Sequence, residues 1–332
     1  VSVLLPVRNA GTRLADCLDS LAAQSLADHE VIAVDDGSCD GSGERLVERA
    51  RRDPRLRVRR TPPRGLVPAL QLALAEAGAA ILARMDADDV AHPERLARQV
   101  ERLASDERID VLGCRVEAAA DPGQRAGAGM RAYVDWSNGL LDHDAIARER
   151  FVESPLVHPS VALRAAALRR LGGWRDVDGP EDYELWLRGI DAGLRFAKLP
   201  DVLLRWRDSP GRLTRTDPRY APDRFLRTKL DALARGPLAG RAAVIWGAGP
   251  IGKSWSHALT AAGQRVRAFV EVDPRKIGAC IHGVPVLDVD AAGALRDALH
   301  LGAVGQKGAR QRLRAQAERL GLEDGRDFFA VA

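Results

Sequence analysis

The sequence predicts an α/β protein built from two units. Three observations carry that prediction: strand-length apolar runs alternate with amphipathic helices, aspartates sit where two early runs end, and the alternation restarts after a proline-rich stretch near residue 238. In open parallel sheets, ligands settle beyond the carboxyl ends of the strands. Asp35, Asp36, Asp86 and Asp88 all fall at such ends, so the two aspartate segments are expected to converge.

In the first half, strands are predicted over 1–7, 30–34, 56–60, 80–85 and 109–114, with helices over 14–24, 43–52, 66–77 and 94–103 between them. Leu14, Cys17, Leu18 and Leu21 set the apolar stripe of the first helix, and Pro93 opens the last. This alternation argues for a largely parallel sheet covered on both faces. Residues 117–138, rich in Ala, Gly and charge, read as a loop or irregular insertion. The chain turns apolar again over 157–163, a helix opens at Pro180 and runs to 192, and a strand over 196–204 follows. Pro210, Pro218, Pro222 and Pro237 surround one amphipathic helix over 224–234, which makes this stretch a connector. Beyond it, strands over 242–246, 266–272, 284–287, 301–305 and 327–331 alternate with helices over 250–262, 290–299 and 308–320. The expected division is a first domain over 1–210, a linker over 211–240 and a second domain over 241–332, the last within the normal range for an independent unit.

With 46% hydrophobic and 29% charged residues, the 332-residue chain can bury a sizeable core, and its length suits two domains. A formal charge of +4 suits an anionic partner such as a nucleotide diphosphate, a lipid phosphate or a membrane surface. Nucleic acid is excluded as a partner, because the basic residues are scattered and aromatics make up only 5% of the chain. Cys17, Cys39, Cys114 and Cys280 show neither CxxC spacing nor local histidines, so no zinc site or disulfide framework is expected and a reducing cytoplasm fits. No apolar run approaches the roughly 20 residues that span a bilayer, and Val1 enters a strand-like segment without a charged leader.

Asp86 and Asp88 stand two residues apart on a segment leaving a strand, so their side chains can point the same way and share one divalent cation. Their hard oxygens favour Mn2+ or Mg2+. Asp35-Asp36-Gly37-Ser38 is a strong turn signal, with Ser38 placed to cap the next helix. A turn alone does not require two adjacent acids. A strand-end carboxylate also accepts a hydrogen bond from a base N–H or a ribose hydroxyl.

As a set, Val3-Leu4-Leu5-Pro6-Val7-Arg8-Asn9, Asp35-Asp36-Gly37-Ser38, Asp86-Ala87-Asp88-Asp89 and Pro180-Glu181-Asp182-Tyr183-Glu184-Leu185-Trp186 resemble family 2 glycosyltransferases of the GT-A fold, in order and approximate spacing, over residues 1 to about 210. The resemblance implies inverting transfer of a sugar from a nucleotide diphosphate donor, with UDP-sugars the first to try, to a hydroxyl of a saccharide or lipid-linked acceptor. Surface polysaccharide or glycoconjugate assembly is the implied setting. Pro6, Arg8 and Asp36, with Asp35 beside them, match the nucleoside pocket. Asp86 and Asp88 match the metal and diphosphate motif, assisted by Asp89. Asp182 matches the catalytic base, and Glu181 is placed to orient the acceptor.

Chemistry agrees with the last assignment, since inversion by single displacement needs a carboxylate opposite the leaving group to take the acceptor's proton. The helix dipole is expected to keep Asp182 ionised, although acids favour a first helical turn in any case. His158, in Val157-His158-Pro159-Ser160, resembles a segment lining the acceptor side. Trp174 and Trp186 are candidates for stacking on a sugar face or for apolar packing. Arg205-Trp206-Arg207-Asp208 departs from relatives that carry a histidine in this region, which points to weaker metal affinity if that histidine is a ligand.

In the second domain, Gly247-Ala248-Gly249-Pro250-Ile251-Gly252 follows a predicted strand and opens a predicted helix, whose amides can receive a phosphate. Glu271 and Asp273 end the next strand, where an acid would bind a ribose. The unit resembles Rossmann-like nucleotide-binding domains. It is short for six strands and no hydride-transfer group of His, Tyr and Lys follows, so packing, a homo-oligomer contact or a regulatory nucleotide site is favoured over NAD(P) chemistry. Two competing readings are an NAD(P)-dependent sugar-nucleotide oxidoreductase or epimerase centred here and a noncatalytic nucleotide-sugar sensor. A sensor would need no base at Asp182. Arg224, Arg227 and Lys229 are the basic residues through which a cytoplasmic protein of this kind would touch the inner face of a membrane.

Overall fold

A computed structural model describes residues 1–120, 125–208 and 211–332, which divide into two compact units. Residues 121–124 of the expected loop, and Pro210 at the expected domain boundary, lie outside the described residues. The first unit comprises Val1–Ile146 and Pro155–Pro218, and the second Ala147–Ser154 and Arg219–Ala332.

Strands β1 (Ser2–Val7), β2 (Glu30–Asp36), β3 (Leu56–Thr61), β4 (Ile81–Arg84), β5 (Val90–Ala91), β6 (Val111–Ala119), β7 (Ala162–Arg164) and β8 (Phe196–Arg207) form the sheet of the first unit, in the order β3-β2-β1-β4-β7-β6-β8-β5. The first four in that order run parallel. β7 then reverses, pairing antiparallel with β4 and β6, while β6 and β8 are parallel and β5 is antiparallel to β8. The expected largely parallel sheet is therefore a mixed one. Helix and strand periodicity signals crossovers only where one helix bridges two neighbouring strands, and β7 reaches β4 after several intervening elements.

Side-chain alternation along the strands builds two cores. Val3, Leu5, Val31 and Ala33 pack with Leu14, Cys17, Leu18, Leu21 and Leu46 on one face. On the other, Leu4, Ile32, Val34 and Leu82 meet helix Leu66–Glu76 through Val67, Leu70, Ala73 and Leu74. The same alternation sends Asp35 and Asp36 to opposite faces.

The irregular insertion expected over 117–138 is instead the end of β6 followed by helix Ala128–Asn138. Val134 and Ser137 form its buried stripe, with Met130 and Tyr133 packed on the core. Gly127 and Gly129, with the surrounding charge, obscure that stripe in the sequence. The helix expected over 290–299 shrinks to Val289–Ala292 plus a 3-10 turn at Gly293–Leu295, because Leu299 already enters a strand.

In the second unit, β9 (Ala243–Trp246), β10 (Val266–Val270), β11 (Cys280–Ile281), β12 (Val284–Leu287), β13 (Leu299–Gly302) and β14 (Phe328–Ala330) are ordered β11-β12-β10-β9-β13-β14. Apart from the antiparallel β11–β12 hairpin, all pairs are parallel. Numbered from β9, the parallel strands run 3-2-1-4-5, the Rossmann order without its sixth strand. The glycine-rich turn follows β9. Gly247 has φ +105°, and a Cβ on Gly252 would lie 1.9 Å from the Gly247 carbonyl oxygen, so these two glycines let strand and helix close on each other.

Helix Pro222–Arg235, read from sequence as part of a connector, belongs to this unit. Lys229 is only 9% exposed, and its Nζ donates to the carbonyls of Val152 at 2.7 Å and Val331 at 3.4 Å. It is thus withdrawn from the membrane-facing role expected of it, since the apolar face of an amphipathic helix can take in a lysine whose ammonium finds carbonyl acceptors. Segment Ala147–Ser154 is anchored in the same unit: Phe151 meets Phe329 edge-on at 5.2 Å, Arg150 stacks on both rings, and Glu149 pairs with Arg310 and Arg314. Among the described residues, no helix is long and apolar enough to cross a membrane.

Gly252→Ala is expected to cost about 2 kcal/mol or more by forcing strand and helix apart. Gly249→Ala, at φ −86° with nothing within 4 Å of a built Cβ, is expected to stay within about 1 kcal/mol. Urea midpoints of the two variants compared with the parent decide between these outcomes.

Candidate active site

β1, β2 and β4 end at one edge of the first sheet, with Val7 opposite Asp35 and Leu4 opposite Arg84. Arg8, Asp36 and Asp86 therefore leave neighbouring parallel strands side by side. Asp36 is buried, accepting from the amides of Arg64 at 2.6 Å and Gly65 at 2.9 Å and from Arg8 Nη1 at 3.1 Å. Its carboxylate ties β1 to the start of helix Leu66–Glu76 and aims the half-exposed Arg8. Pro6 is buried in β1 opposite Val34.

Asp35 works on the other face. Its Oδ1 accepts from the Ser38 amide at 3.0 Å and its Oδ2 pairs with Arg60 Nε at 3.3 Å, so it secures the turn and β3. Ser38 does not cap the following helix, whose N-cap is Gly41. Its hydroxyl accepts from the Asn9 amide at 3.0 Å.

Asp86, Asp88 and Asp89 bring carboxylate oxygens within 4.8 Å of one another. Asp89 is 1% exposed; its Oδ1 accepts from the Arg207 amide at 2.8 Å, while Oδ2 is buried with no hydrogen-bond partner among the described residues. Burial first, and then the charge of Asp86, raises the carboxyl pKa of Asp88, and the same causes with Asp88 added raise that of Asp89 well above the usual range. The charge of Arg212, whose guanidinium stacks on Trp206 at 3.9 Å, partly offsets both. Three crowded oxygen donors, one of them orphaned, fit a divalent cation that prefers hard oxygen ligands. Within Arg205-Trp206-Arg207-Asp208, the region expected to carry a histidine in relatives, Arg207 holds Asp89 by its backbone and pairs with Asp16 at 2.5 Å by its side chain.

Glu181 and Asp182 open helix Glu181–Asp191 behind Pro180. Glu181 is buried, Asp182 partly so, and Asp182 Oδ1 accepts from the Tyr183 amide at 2.7 Å. Burial, reinforced by the charge of Glu181, pushes the Asp182 carboxyl up to about 8, against the opposing pull of the Tyr183 amide and Arg84. The helix terminus does not keep this acid ionised as expected, because desolvation outweighs a dipole worth about 1 kcal/mol.

His158 is 6% exposed and stays neutral, burial holding its pKa well below the usual value. Its Nε2 accepts from Trp174 Nε1 at 3.0 Å, which leaves the proton on Nδ1, 3.7 Å from Glu181 Oε1. Trp174 and Trp186 flank the imidazole with centroids 5.7 and 5.8 Å away, each only 1% exposed. Neither indole offers a face to a sugar here. Both brace His158, and through it the buried Glu181, because a large apolar ring gains more from full burial than from an open stacking face.

Arg84 and Arg95 escape the sequence reading. Arg84 is 2% exposed and pairs through Nη1 with Asp86 Oδ1. Arg95, 1% exposed, donates through Nη2 to the Arg84 carbonyl at 2.7 Å and clamps the end of β4. Their only signals are an arginine breaking an apolar strand just before the acidic motif, and a helix in which Arg95 and Gln99 share the buried side.

In the second unit, Gly247, Gly249 and Gly252 form the turn into helix Pro250–Ala261. Glu271 Oε2 accepts from the Ala248 amide at 3.2 Å and from Lys276 Nζ at 3.0 Å, so the acid expected at a ribose is tied to its own loop. Asp273 pairs with Arg275 at 2.8 Å.

Residues 2–172 match the model of Glycosyl transferase family 2. The chain is 31% identical over 209 residues to the amylovoran biosynthesis glycosyltransferase AmsE of Erwinia amylovora, covering 62% of this chain and 75% of that protein. Among solved structures it is similar to S. aureus TarS 1-349 in complex with UDP-GlcNAc, with TM-score 0.56 and 19% identity over 70% of this chain and 66% of that one. It is also similar to the mannosyltransferase PcManGT from Pyrobaculum calidifontis in complex with GDP-Man and Mn2+, with TM-score 0.53 and 21% identity over 98% of this chain and 81% of that one. These two likenesses are of fold.

The raised carboxyl of Asp89 makes folding oppose its ionisation, so that contribution to stability is present at low pH and lost as pH rises past the unfolded value of about 3.9. Asp89→Asn keeps an acceptor for the Arg207 amide and removes the charge. In EDTA its melting midpoint is expected to exceed the parent's at pH 7–8, with the gap closing toward pH 4. Mn2+ is expected to raise the parent's midpoint and to leave those of Asp88→Asn and Asp89→Asn unmoved.

Proposed function

The chain belongs to Glycosyl transferase family 2, and on that premise we propose that it moves a sugar with inversion from a nucleoside diphosphate donor, a UDP-sugar first, to a hydroxyl of a saccharide or lipid-linked acceptor. Surface polysaccharide or glycoconjugate assembly in the cytoplasm is the proposed setting. The observation that carries this reading is the Asp86-Asp88-Asp89 cluster together with a second acid, Asp182, which feels the charge of Asp86 and whose environment favours proton uptake. Similar proteins support it: AmsE is an amylovoran biosynthesis glycosyltransferase, TarS was solved with UDP-GlcNAc, and PcManGT with GDP-Man and Mn2+.

Asp36 and the half-exposed Arg8 hold the nucleoside end of the donor, and Pro6 shapes the strand beneath them. Asp86, Asp88 and Asp89 would hold Mn2+ or Mg2+, which when bound neutralises charge on the departing diphosphate. Asp182 takes the proton of the acceptor hydroxyl as that oxygen attacks the anomeric carbon. A carboxylate whose pKa lies near 8 is a far stronger base than an ordinary one, at the cost of being largely protonated in acid. Glu181 and His158 maintain that environment from behind. Glu271, engaged by Ala248 and Lys276, lends no support to an NAD(P)-dependent reaction in the second unit.

Release of UDP or GDP from a panel of nucleotide sugars, with Mn2+ and saccharide acceptors, tests the reading. Asp182→Asn is expected to bind donor within about threefold of the parent and to lose roughly 10²–10⁴-fold in turnover; an active Asn variant would remove Asp182 from the mechanism. Activity is expected to fall as pH drops, because protonated Asp182 cannot accept a proton, and the acid limb should lie well above pH 5. Glu181→Gln removes the neighbouring negative charge and should move that limb to lower pH.

A further inference from the structure

Trp174 and Trp186, the sequence candidates for a sugar face, are sealed in the core, and so are Trp246 and Trp255: all four are at most 2% exposed. The other two of the chain's six tryptophans, Trp136 and Trp206, are only half-buried. They fall in one cluster with Tyr133 between them, at centroid distances of 5.9 and 5.7 Å. Leaving three large rings part-exposed together forfeits burial that the other four tryptophans obtain.

The cluster stands on fixed supports. Trp206 lies near the end of β8, opposite Ala118 of β6, while Tyr133 and Trp136 lie on helix Ala128–Asn138. Asp208 joins the two elements: its amide donates to the Ala119 carbonyl at 2.7 Å, and its carboxylate accepts from the Gly127 amide, at the start of that helix, at 2.8 Å. Met130, Tyr133 and Trp206 rest on the core. Over the indole of Trp206 lies the Arg212 guanidinium, 3.9 Å from the ring centroid, with the Met130 thioether at 3.6 Å as its hydrogen-bond acceptor. A thioether accepts weakly, so this cover is displaced at small cost.

β7 is antiparallel to both β4 and β6, so β6 and β8 deliver their carboxyl ends to the same edge as β1, β2 and β4. In the strand order, Arg8 and Asp36 lie on one side of β4 and Trp206 on the other. The acidic segment spans the interval: Asp86 leaves β4, Val90 pairs with Arg205, and Asp89 Oδ1 accepts from the Arg207 amide at 2.8 Å. The aromatic cluster therefore adjoins the acid cluster on the side away from the residues assigned to the nucleoside. Resting on the transferase reading, we propose that Trp206, with Tyr133 beside it, is the platform on which a pyranose ring of the acceptor stacks, replacing the guanidinium of Arg212. The C–H face of a pyranose is apolar and suits a flat indole, while its hydroxyls stay at the open rim. Free and lipid-linked saccharides present the same ring.

The test reads Trp206 directly. The full chain is labelled with 15N at the tryptophan indoles, and the Trp206 Nε1–H signal is identified by its loss in Trp206→Phe. With UDP and Mg2+ present, methyl glycosides of glucose, galactose, mannose and N-acetylglucosamine are titrated in, followed by octyl glycosides of the same sugars below their micelle concentrations. At least one methyl glycoside is expected to shift the Trp206 signal saturably and to leave those of Trp174, Trp246 and Trp255 in place, with its octyl counterpart giving the same midpoint within about threefold. Arg212→Ala, which uncovers the ring, should lower that midpoint; a raised midpoint overturns the role of Arg212 as a cover. In transfer assays Trp206→Leu, which keeps apolar bulk and removes the face, should raise acceptor KM at least about tenfold with donor KM within about threefold, and Trp206→Phe should stay near the parent. A Trp206 signal unmoved by every methyl glycoside overturns the proposal. So does a shift with octyl glycosides alone, which marks a site for an apolar tail, or a Trp206→Leu defect confined to donor KM. If Trp206→Leu does not fold, the titration of the parent still decides. Saturable binding at Trp206 in a chain that transfers from no nucleotide sugar sinks the transferase reading and leaves the saccharide site standing; normal transfer with an unmoved signal sinks the platform alone.

Discussion

The ion pair between Arg84 and Asp86, with Arg95 clamped to the carbonyl beneath it, is the constraint around which the carboxyl edge of the first sheet is organised. Two unit charges 4 Å apart repel by about 4 kcal/mol at an effective dielectric of 20. The carboxylate oxygens of Asp86, Asp88 and Asp89, crowded within 4.8 Å of one another, therefore call for a cation beside them. Arg84 supplies one from inside the fold, Arg212 on Trp206 offers another, and the raised carboxyls of Asp88, Asp89 and Asp182 record the charge still unmatched. A site so biased is prepared for a divalent cation on one side and for a proton on the other.

The rest of the first unit keeps this edge rigid. Two apolar cores grip the sheet from both faces. Buried polar groups then secure the segments that carry the acids. Gln99 Nε2 donates to the Leu112 and Ser160 carbonyls, Lys198 Nζ reaches Ser137 and Pro155, and His158 is locked by Trp174. Gln99 and Lys198 thereby satisfy buried carbonyls that would otherwise cost about 1–3 kcal/mol apiece. Burial lowers the pKa of Lys198 to about 7, so this brace is the one whose charge is most sensitive near neutral pH.

The second unit is built by different means. Close contact at Gly247 and Gly252 replaces the side chains that would separate strand from helix, and Ala147–Ser154, distant in sequence, completes the core through Phe151. Sequence order gives no warning of that exchange. A six-residue segment such as Gly247 to Gly252 can be read as a tight turn. The docking of Glu149 on Arg310 and Arg314 joins residues about 160 positions apart and leaves no local periodicity.

What the sequence by itself determined was local: strand and helix alternation, the ends at which Asp35, Asp36, Asp86 and Asp88 emerge, the first-turn acids Glu181 and Asp182, and the glycine turn after β9. These are short-range consequences of side-chain period, turn chemistry and backbone freedom. Tertiary structure decided the rest. It reversed β7, folded 128–138 into a helix, turned Asp35 away from Asp36, sealed Trp174 and Trp186, drew Lys229 inward and raised Asp182 instead of leaving it ionised. The reason is common to all of them: burial and the charge of distant neighbours set strand direction, exposure and proton affinity, and a linear chain does not carry either until it has folded.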